Sequence, residues 1–304
     1  VPFTIGSTSK EAVAQSTATT ANAIEFKYTV EALDPALTGN VALEGSDLTL
    51  SNSATVRDAA TNDLTPTMNN FSGSVTVDTT ALTMTIVVSD TNSNTIANTA
   101  LTNKTSFNLL FTSNKDTTDF ASDDIEVTNG TLSNFAADTD PNNKREYTAD
   151  LTTTGGGDTT TIKVAATKFT DAAGNNNEVA QTNFRSDNSP LTMTITAKDQ
   201  NNVNDVNSGD TTNDNTLKLT FTSNKTTDTF VKSDISFGDP STGDIGTLSG
   251  SGSAYNATFT PASDGTCTID VPAGLYTDAF GNTNSAANQF VWIRDTTAPE
   301  ISSI

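Results

Sequence analysis

Histidine is absent from the 304 residues, and cysteine occurs once, at Cys267. Without imidazole there is no Ser-His-Asp or Cys-His nucleophile pair and no histidine-bound zinc or iron. A single thiol closes no intrachain disulfide, so the fold rests on its apolar cores. Cys267 alternates with Ile269 and Val271 and has Thr160 as its counterpart upstream, the placement of a buried, inert thiol. Aromatic rings are sparse, with one Trp and four Tyr. Tyr147 and Tyr255 alternate with Ala149/Leu151 and Ala257/Phe259, and Trp292 sits in the run Phe290-Val291-Trp292-Ile293. These rings read as core or interface, not as a sugar-stacking surface. Basic tracts are also missing: 15 Lys and Arg stand against 36 Asp and Glu, a formal charge of −21. A chain with no cluster of cations to meet phosphates is not a nucleic-acid binder. No apolar run is long enough to cross a bilayer, so no membrane insertion is expected in this segment. Acids are plentiful, but no cleft of paired carboxylates and aromatics suggests a glycosidase, and no enzyme is expected.

What the chain does have is a repeat. Thr170-Asp171-Ala172-Ala173-Gly174-Asn175 returns as Thr277-Asp278-Ala279-Phe280-Gly281-Asn282 and, more weakly, as Asp58-Ala59-Ala60-Thr61-Asn62. Ala81, Pro190 and Pro299 mark equivalent points 109 residues apart. A period of that length holds a whole domain. The expected division is residues 1–81, a shortened and divergent copy; 82–190; 191–299; and 300–304, the start of a further copy headed by Asp295-Thr296-Thr297-Ala298-Pro299. The three copies carry net charges of −6, −7 and −7, an even acidity that suits solubility and mutual repulsion and leaves room for divalent cations.

Within a copy, short runs alternate apolar and polar residues, as in Thr161-Ile162-Lys163-Val164 and Thr266-Cys267-Thr268-Ile269-Asp270-Val271. Turn residues separate such runs every eight to twelve positions and no helical period appears, which predicts an all-β antiparallel sandwich of about seven strands. In the third copy strands are expected at Leu191–Ala197, Thr216–Thr222, around Phe230–Phe237, Thr247–Leu248, Tyr255–Phe259, Thr266–Val271 and Phe290–Arg294. Leu217, Leu219 and Phe221 should share one face, as should Phe107, Leu109 and Phe111. In the first copy, Pro2–Ile5 and Ile24–Val30 align with the first two strands.

The set Phe111-Thr112-Ser113-Asn114-Lys115, Asp119 to Ile125, Thr128 to Phe135 and Thr170 to Asn175, matched again at 255–299, resembles the bacterial Ig-like repeats of large surface adhesins and related microbial extracellular proteins. The resemblance implies tandem Ig-like β-sandwiches end to end, at the cell surface or outside the cell. They would extend and present a binding domain, with no catalytic residues. Two further roles stay open. One copy could recognise a cell-surface glycan or protein through a calcium-supported loop, or neighbouring copies and further repeats could associate into a filament.

Calcium is the one cofactor the sequence admits. The Asp-Ala-x-Gly-Asn loop reads first as a turn, with Asp171 or Asp278 accepting backbone N–H groups two or three residues on and Gly174 or Gly281 at positive φ; its oxygens could also serve a cation. The loop from Asp199 to Asp210 places Asp199, Asn201, Asp205, Asn207 and Asp210 at spacings that could converge, without the bidentate Glu of an EF-hand. Asp78, Asp187 and Asp295, at the junctions, could share an ion between neighbouring domains.

Overall fold

In the computed structural model, residues 78–140, 144–238 and 243–301 are described in full. Ahead of them the backbone of seven short strands is described, from Pro2–Ile5 to Ser74–Val77. Pro2–Ile5 pairs antiparallel with both Thr8–Glu11 and Ala42–Leu43. Of the strand expected at 24–30, Phe26–Lys27 is described as strand. Asp58–Asn62 and most of the first copy lie outside the described residues.

The rest forms two sandwiches of nine strands each. The first comprises β1 Met84–Asp90, β2 Thr95–Ile96, β3 Leu101–Thr102, β4 Ser106–Ser113, β5 Ile125–Thr128, β6 Gly130–Ala137, β7 Glu146–Thr153, β8 Gly156–Val164 and β9 Ala180–Asp187. The second comprises β10 Met193–Lys198, β11 Asp205–Val206, β12 Thr211–Thr212, β13 Leu217–Thr227, β14 Ser236–Gly238, β15 Gly243–Ile245, β16 Ser249–Pro261, β17 Gly265–Asp270 and β18 Phe290–Arg294. One sheet runs β6-β7-β4-β1-β2 and faces a sheet β3-β9-β8-β5; the second sandwich repeats this as β15-β16-β13-β10-β11 and β12-β18-β17-β14.

Period-two burial makes these strands. Along β4, Phe107, Leu109 and Phe111 point inward while Ser106, Asn108 and Leu110 face out; Leu217, Leu219 and Phe221 repeat the pattern on β13. Two separate cores result, one from Leu82 to Phe184 and one from Leu191 to Trp292. Cys267, Thr160 and Trp292 are all buried, as alternation requires. The hydroxyls of Tyr147 and Tyr255 donate to the carbonyls of Thr117 and Thr227, which lets both rings lie in the core.

The sandwiches are antiparallel as expected apart from one short pair in each, where the chain leaves β1 or β10 and crosses to the other sheet, so that β3 and β12 pair parallel to β9 and β18. Two local expectations need correction. The stretch 230–237 is not one strand: the Asp234 carboxylate takes the Val231 N–H at 2.9 Å and turns the chain into a 3-10 turn, Lys232–Asp234, before β14 begins. The strand expected at Thr247–Leu248 lies earlier, at Gly243–Ile245, because the fully buried Ile245 fixes its register.

The sandwiches differ at a position that offers an internal control. Phe169 of the first is replaced by Tyr276 in the second, which is 1% exposed, with only a poorly formed contact from its hydroxyl to Ser223. Burial pushes that hydroxyl up to about 12. Tyr276→Phe is therefore expected to leave the second sandwich as stable or to stabilise it by about 1 kcal/mol in a denaturant titration; a loss of more than that would show the hydroxyl to be well bonded.

Candidate functional site

The functional geometry sits where one sandwich meets the chain entering it. Each entry segment opens on an aspartate that forms a local turn: the Asp78, Asp187 and Asp295 carboxylates accept the N–H groups of Thr80, Ser189 and Thr297 at 2.9, 2.9 and 3.0 Å. Short side-chain acceptors of this kind turn the chain without need of a regular ladder.

Strand β4 ends on Ser113 and continues into Asn114-Lys115; β13 carries Ser223-Asn224-Lys225 within it. Asn114 seizes the entry backbone three times: Thr83 N–H donates to its Oδ1 at 2.9 Å, its Nδ2 donates to Ala81 O at 2.9 Å, and its own N–H donates to Thr83 O at 3.1 Å. Asn224 makes the same bonds with Thr192 and Pro190 at 2.8, 3.0 and 3.1 Å. The lysine that follows adds charge. Lys115 Nζ lies 2.9 Å from Asp78 and 2.8 Å from Asp171 and also donates to Thr80 O. Lys225 Nζ lies 3.2 Å from Asp187, 3.1 Å from Asp278 and 2.7 Å from Ser189 O.

The recurring loop supplies the other half. Asp171 accepts the N–H groups of Ala173 and Asn175 at 3.0 and 2.9 Å and the Asn175 amide at 2.9 Å; Asp278 does the same with Phe280 and Asn282. The backbone donors stand two and four residues on, where two or three was expected, because Gly174 and Gly281 at φ +85° fold the tip back over the carboxylate. Asn175 and Asn282 then donate 2.8 Å bonds to the carbonyls of Asp78 and Asp187. Asn177 and Asn284, both buried, hold the base of each loop with two bonds accepted and two donated apiece. Sequence reasoning quoted Asn114-Lys115 as part of a family motif without giving the lysine a partner, and passed over Lys225, Asn177 and Asn284, although Asn-x-Asn at 175–177 and 282–284 and Ser-Asn-Lys at 113–115 and 223–225 recur.

Between the sandwiches the contact is direct. Asn103, on the loop between β3 and β4, donates to Gly281 O at 2.7 Å, and the Arg185 guanidinium stands 5.4 Å from the Phe280 ring centre, a cation–π distance. Ala173 replaces Phe280 in the other copy of the loop.

The carboxylates proposed for calcium thus fall into two groups. Asp171 with Asp78, and Asp278 with Asp187, converge on an ammonium. The residues of the 199–210 loop do not converge with one another: buried Asp199 accepts Val203 N–H at 2.8 Å and the Asn204 amide at 2.7 Å, Asp205 pairs with Lys198 at 2.7 Å, and Asp210 accepts from Asn207 at 2.7 Å. Asn201 is exposed, and Asp295 bonds within its own turn. Among the described residues no group of three acidic, histidine or cysteine side chains is placed to hold a metal.

Burial opposes ionisation of Asp171, but the hydrogen bonds from Lys115 and Asn175 outweigh it and hold the carboxyl at about 2, below the usual 3.8. Asp78, Asp187 and Asp278 are lowered too, and Lys115 is raised above its usual 10.5 because bonds to Asp171 and Asp78 outweigh its own burial. Depressed carboxyls stabilise above the unfolded value and lose that contribution as pH falls through the folded one. Thermal stability should therefore rise as pH goes from about 2 to 4 and then level off; a flat profile across that window would contradict the latch. Lys225→Met leaves two carboxylates with little exposure unpaired and should cost the second sandwich roughly 2–4 kcal/mol in a denaturant titration, part of it recovered by Lys225→Met with Asp278→Asn.

A family model described as a bacterial Ig-like domain matches residues 78–186 and 187–292, more than half of the chain. No curated protein sequence matches. Among solved structures, InvD of Yersinia pseudotuberculosis aligns at 16% identity and TM-score 0.30, over 73% of this chain and 60% of that one. The BspA C-terminal domain of Streptococcus agalactiae aligns at 9% and 0.32, over 69% and 99%. The AspA C-terminal domain of Streptococcus pyogenes aligns at 8% and 0.32, over 70% and 100%. Two tandem matches whose limits fall at Asp78 and Asp187, the residues that open the two entry segments, place the chain in the bacterial Ig-like domain family.

Proposed function

We infer that this chain is a non-catalytic spacer on the outside of a bacterial cell, in which successive Ig-like sandwiches are locked to their entry segments to hold a binding element at a distance. The observation that carries the reading is the repeated latch, in which Asn114 or Asn224, Lys115 or Lys225 and the Asp-Ala-x-Gly-Asn loop all close on the incoming backbone. A spacer must resist bending, and a device that fastens each entry segment to its sandwich supports that role. Five residues, Asn188 to Thr192, separate β9 from β10, and the side chains of the second sandwich tie four of them or their flanks in place. Even acidity keeps neighbouring molecules apart in solution.

Each copy, with strands rising about 3.3 Å per residue, reaches roughly 40 Å, so three in line extend on the order of 120 Å. Small-angle scattering of the full chain should give a radius of gyration well above the roughly 19 Å of a compact chain of this length, and Lys225→Met with Asn282→Ala should broaden the distance distribution. A compact particle would remove the spacer reading.

A further inference from the structure

Where the two sandwiches meet, the exit pole of the first works through Asn103, just after β3, Arg185, which stands opposite β3 on β9, and Asp187, which closes β9. Asn103 donates to Gly281 O, the Arg185 guanidinium stands against the Phe280 ring, and Asp187 receives Lys225. Arg185 is fixed in that position, since its Nε donates to Gly157 O at 2.7 Å.

The exit pole of the second sandwich carries the same frame. Thr211 of β12 stands opposite Ile293 as Leu101 of β3 stands opposite Arg185, and the N–H groups of Ile293 and Arg185 both donate 2.9 Å bonds to the carbonyl just ahead of β12 or β3, that of Asp210 or Ala100. That register puts Asn213 at the place of Asn103, Ile293 at that of Arg185 and Asp295 at that of Asp187. The poles differ in cover. Asp187 is buried, whereas Asp295 and Asn213 are exposed and the Asn213 amide has no partner among the described residues. The exit segment is held all the same: Asp264, just ahead of β17, accepts the Thr296 N–H at 3.0 Å and its hydroxyl at 2.8 Å and pairs with Arg294 at 2.9 Å. Asp295 is therefore set in place by the sandwich it leaves, and a group fixed beforehand removes an ordering cost from the association that uses it.

We propose that this pole is a seat for a further Ig-like sandwich, joined through the segment that leaves Asp295, whose Ser-Asn-Lys lysine pairs with Asp295 and whose Asp-x-x-Gly-Asn loop offers its glycine carbonyl to the Asn213 amide. The occupant is identified by the joint already present, in which the entry pole of the second sandwich meets the same three positions on the first. Residue 293 sets what the seat accepts. Arg185 meets Phe280 as a cation over a ring; Ile293 has no charge to offer, so the loop residue above it is apolar, and a carboxylate there is rejected because it would lose water without gaining a partner. The proposal rests on the spacer reading and names the neighbour that the second sandwich takes.

The test lengthens the full chain by a duplicate of residues 191–299 placed after Ala298, which gives the new joint the spacing that Asp187 has to Leu191. Spin labels on Asn256→Cys in both copies report the new joint by pulsed dipolar spectroscopy. Labels on Thr148→Cys and Asn256→Cys, exposed residues at equivalent places in their sheets, report the existing joint, and buried Cys267 stays unlabelled. Equally narrow distance distributions are expected for the two pairs. Ile293→Asp and Asp295→Ala should each broaden the new pair toward the spread of a flexible linker and leave the Thr148–Asn256 pair unchanged, while Ile293→Arg, which rebuilds the cation contact with the duplicate's Phe280, should keep it narrow. A broad new pair beside a narrow Thr148–Asn256 pair, or a new pair that Asp295→Ala and a folded Ile293→Asp both leave narrow, would overturn the proposal. Should Ile293→Asp disturb β18, Asp295→Ala on the exposed turn decides alone. A broad Thr148–Asn256 pair would remove the spacer reading and this proposal with it. Head-to-tail association of the unlengthened chain, read as a scattering mass that rises with concentration, would make a separate molecule the occupant and likewise overturn it.

Discussion

A lysine ammonium held between two aspartates and a backbone carbonyl is the contact on which the order between modules depends. In a chain of formal charge −21, bringing Asp187 beside Asp278 would by itself push the entry segment away from the loop it must meet. Lys225 reverses the sign of that interaction and, at 17% side-chain exposure, does so where water screens it incompletely. The same three-part arrangement recurs at Asp78, Lys115 and Asp171. Its recurrence in one chain shows it to be a property of the joint and not of one local sequence.

That contact explains what could be read from sequence and what could not. Alternation along β4, β13, β17 and β18 announced buried Phe107, Leu219, Cys267 and Trp292, because the side-chain period of a strand is a local property. The loop at Asp171 and Asp278 was legible for the same reason: aspartate, glycine and asparagine at fixed spacing dictate a turn. The destination of the second carboxylate oxygen was not legible. Lys115 stands 37 residues from Asp78 and 56 from Asp171, and only the strand pairing of β4 delivers it. The junction aspartates were read as places where an ion could be shared between domains; Asp78 and Asp187 pair with a lysine of the chain, and Asp295 bonds within its own turn.

Comparison of the two sandwiches separates what the scaffold requires from what it tolerates. Strand order, the satisfied buried asparagines Asn177 and Asn284, and the Asn-Lys latch are the same in both. The substitutions fall elsewhere: Thr160 against Cys267, Phe169 against Tyr276, Ala173 against Phe280, Phe135 against Leu248. The first two exchange side chains inside the core. Phe135 and Leu248 each pack against their own core, and of these residues only Phe280 meets the neighbouring sandwich, through Arg185.

A load applied along the chain passes from β9 through Asn188–Thr192 into β10. Without the latch those five residues would be the most extensible element between two sandwiches, each held by ladders of backbone bonds. Asn224 instead ties the backbone at Pro190 and Thr192, Lys225 ties it at Asp187 and Ser189, and Asn282 ties the Asp187 carbonyl. Each of these bonds runs from the second sandwich to the segment that precedes its first strand, so pulling the segment straight must break several together. Asn103 and Arg185 of the first sandwich meet Gly281 and Phe280 on the same loop. Bending the joint toward or away from that loop therefore disturbs contacts on both sides of the linker. What holds this linker is thus a set of side chains converging on a short segment.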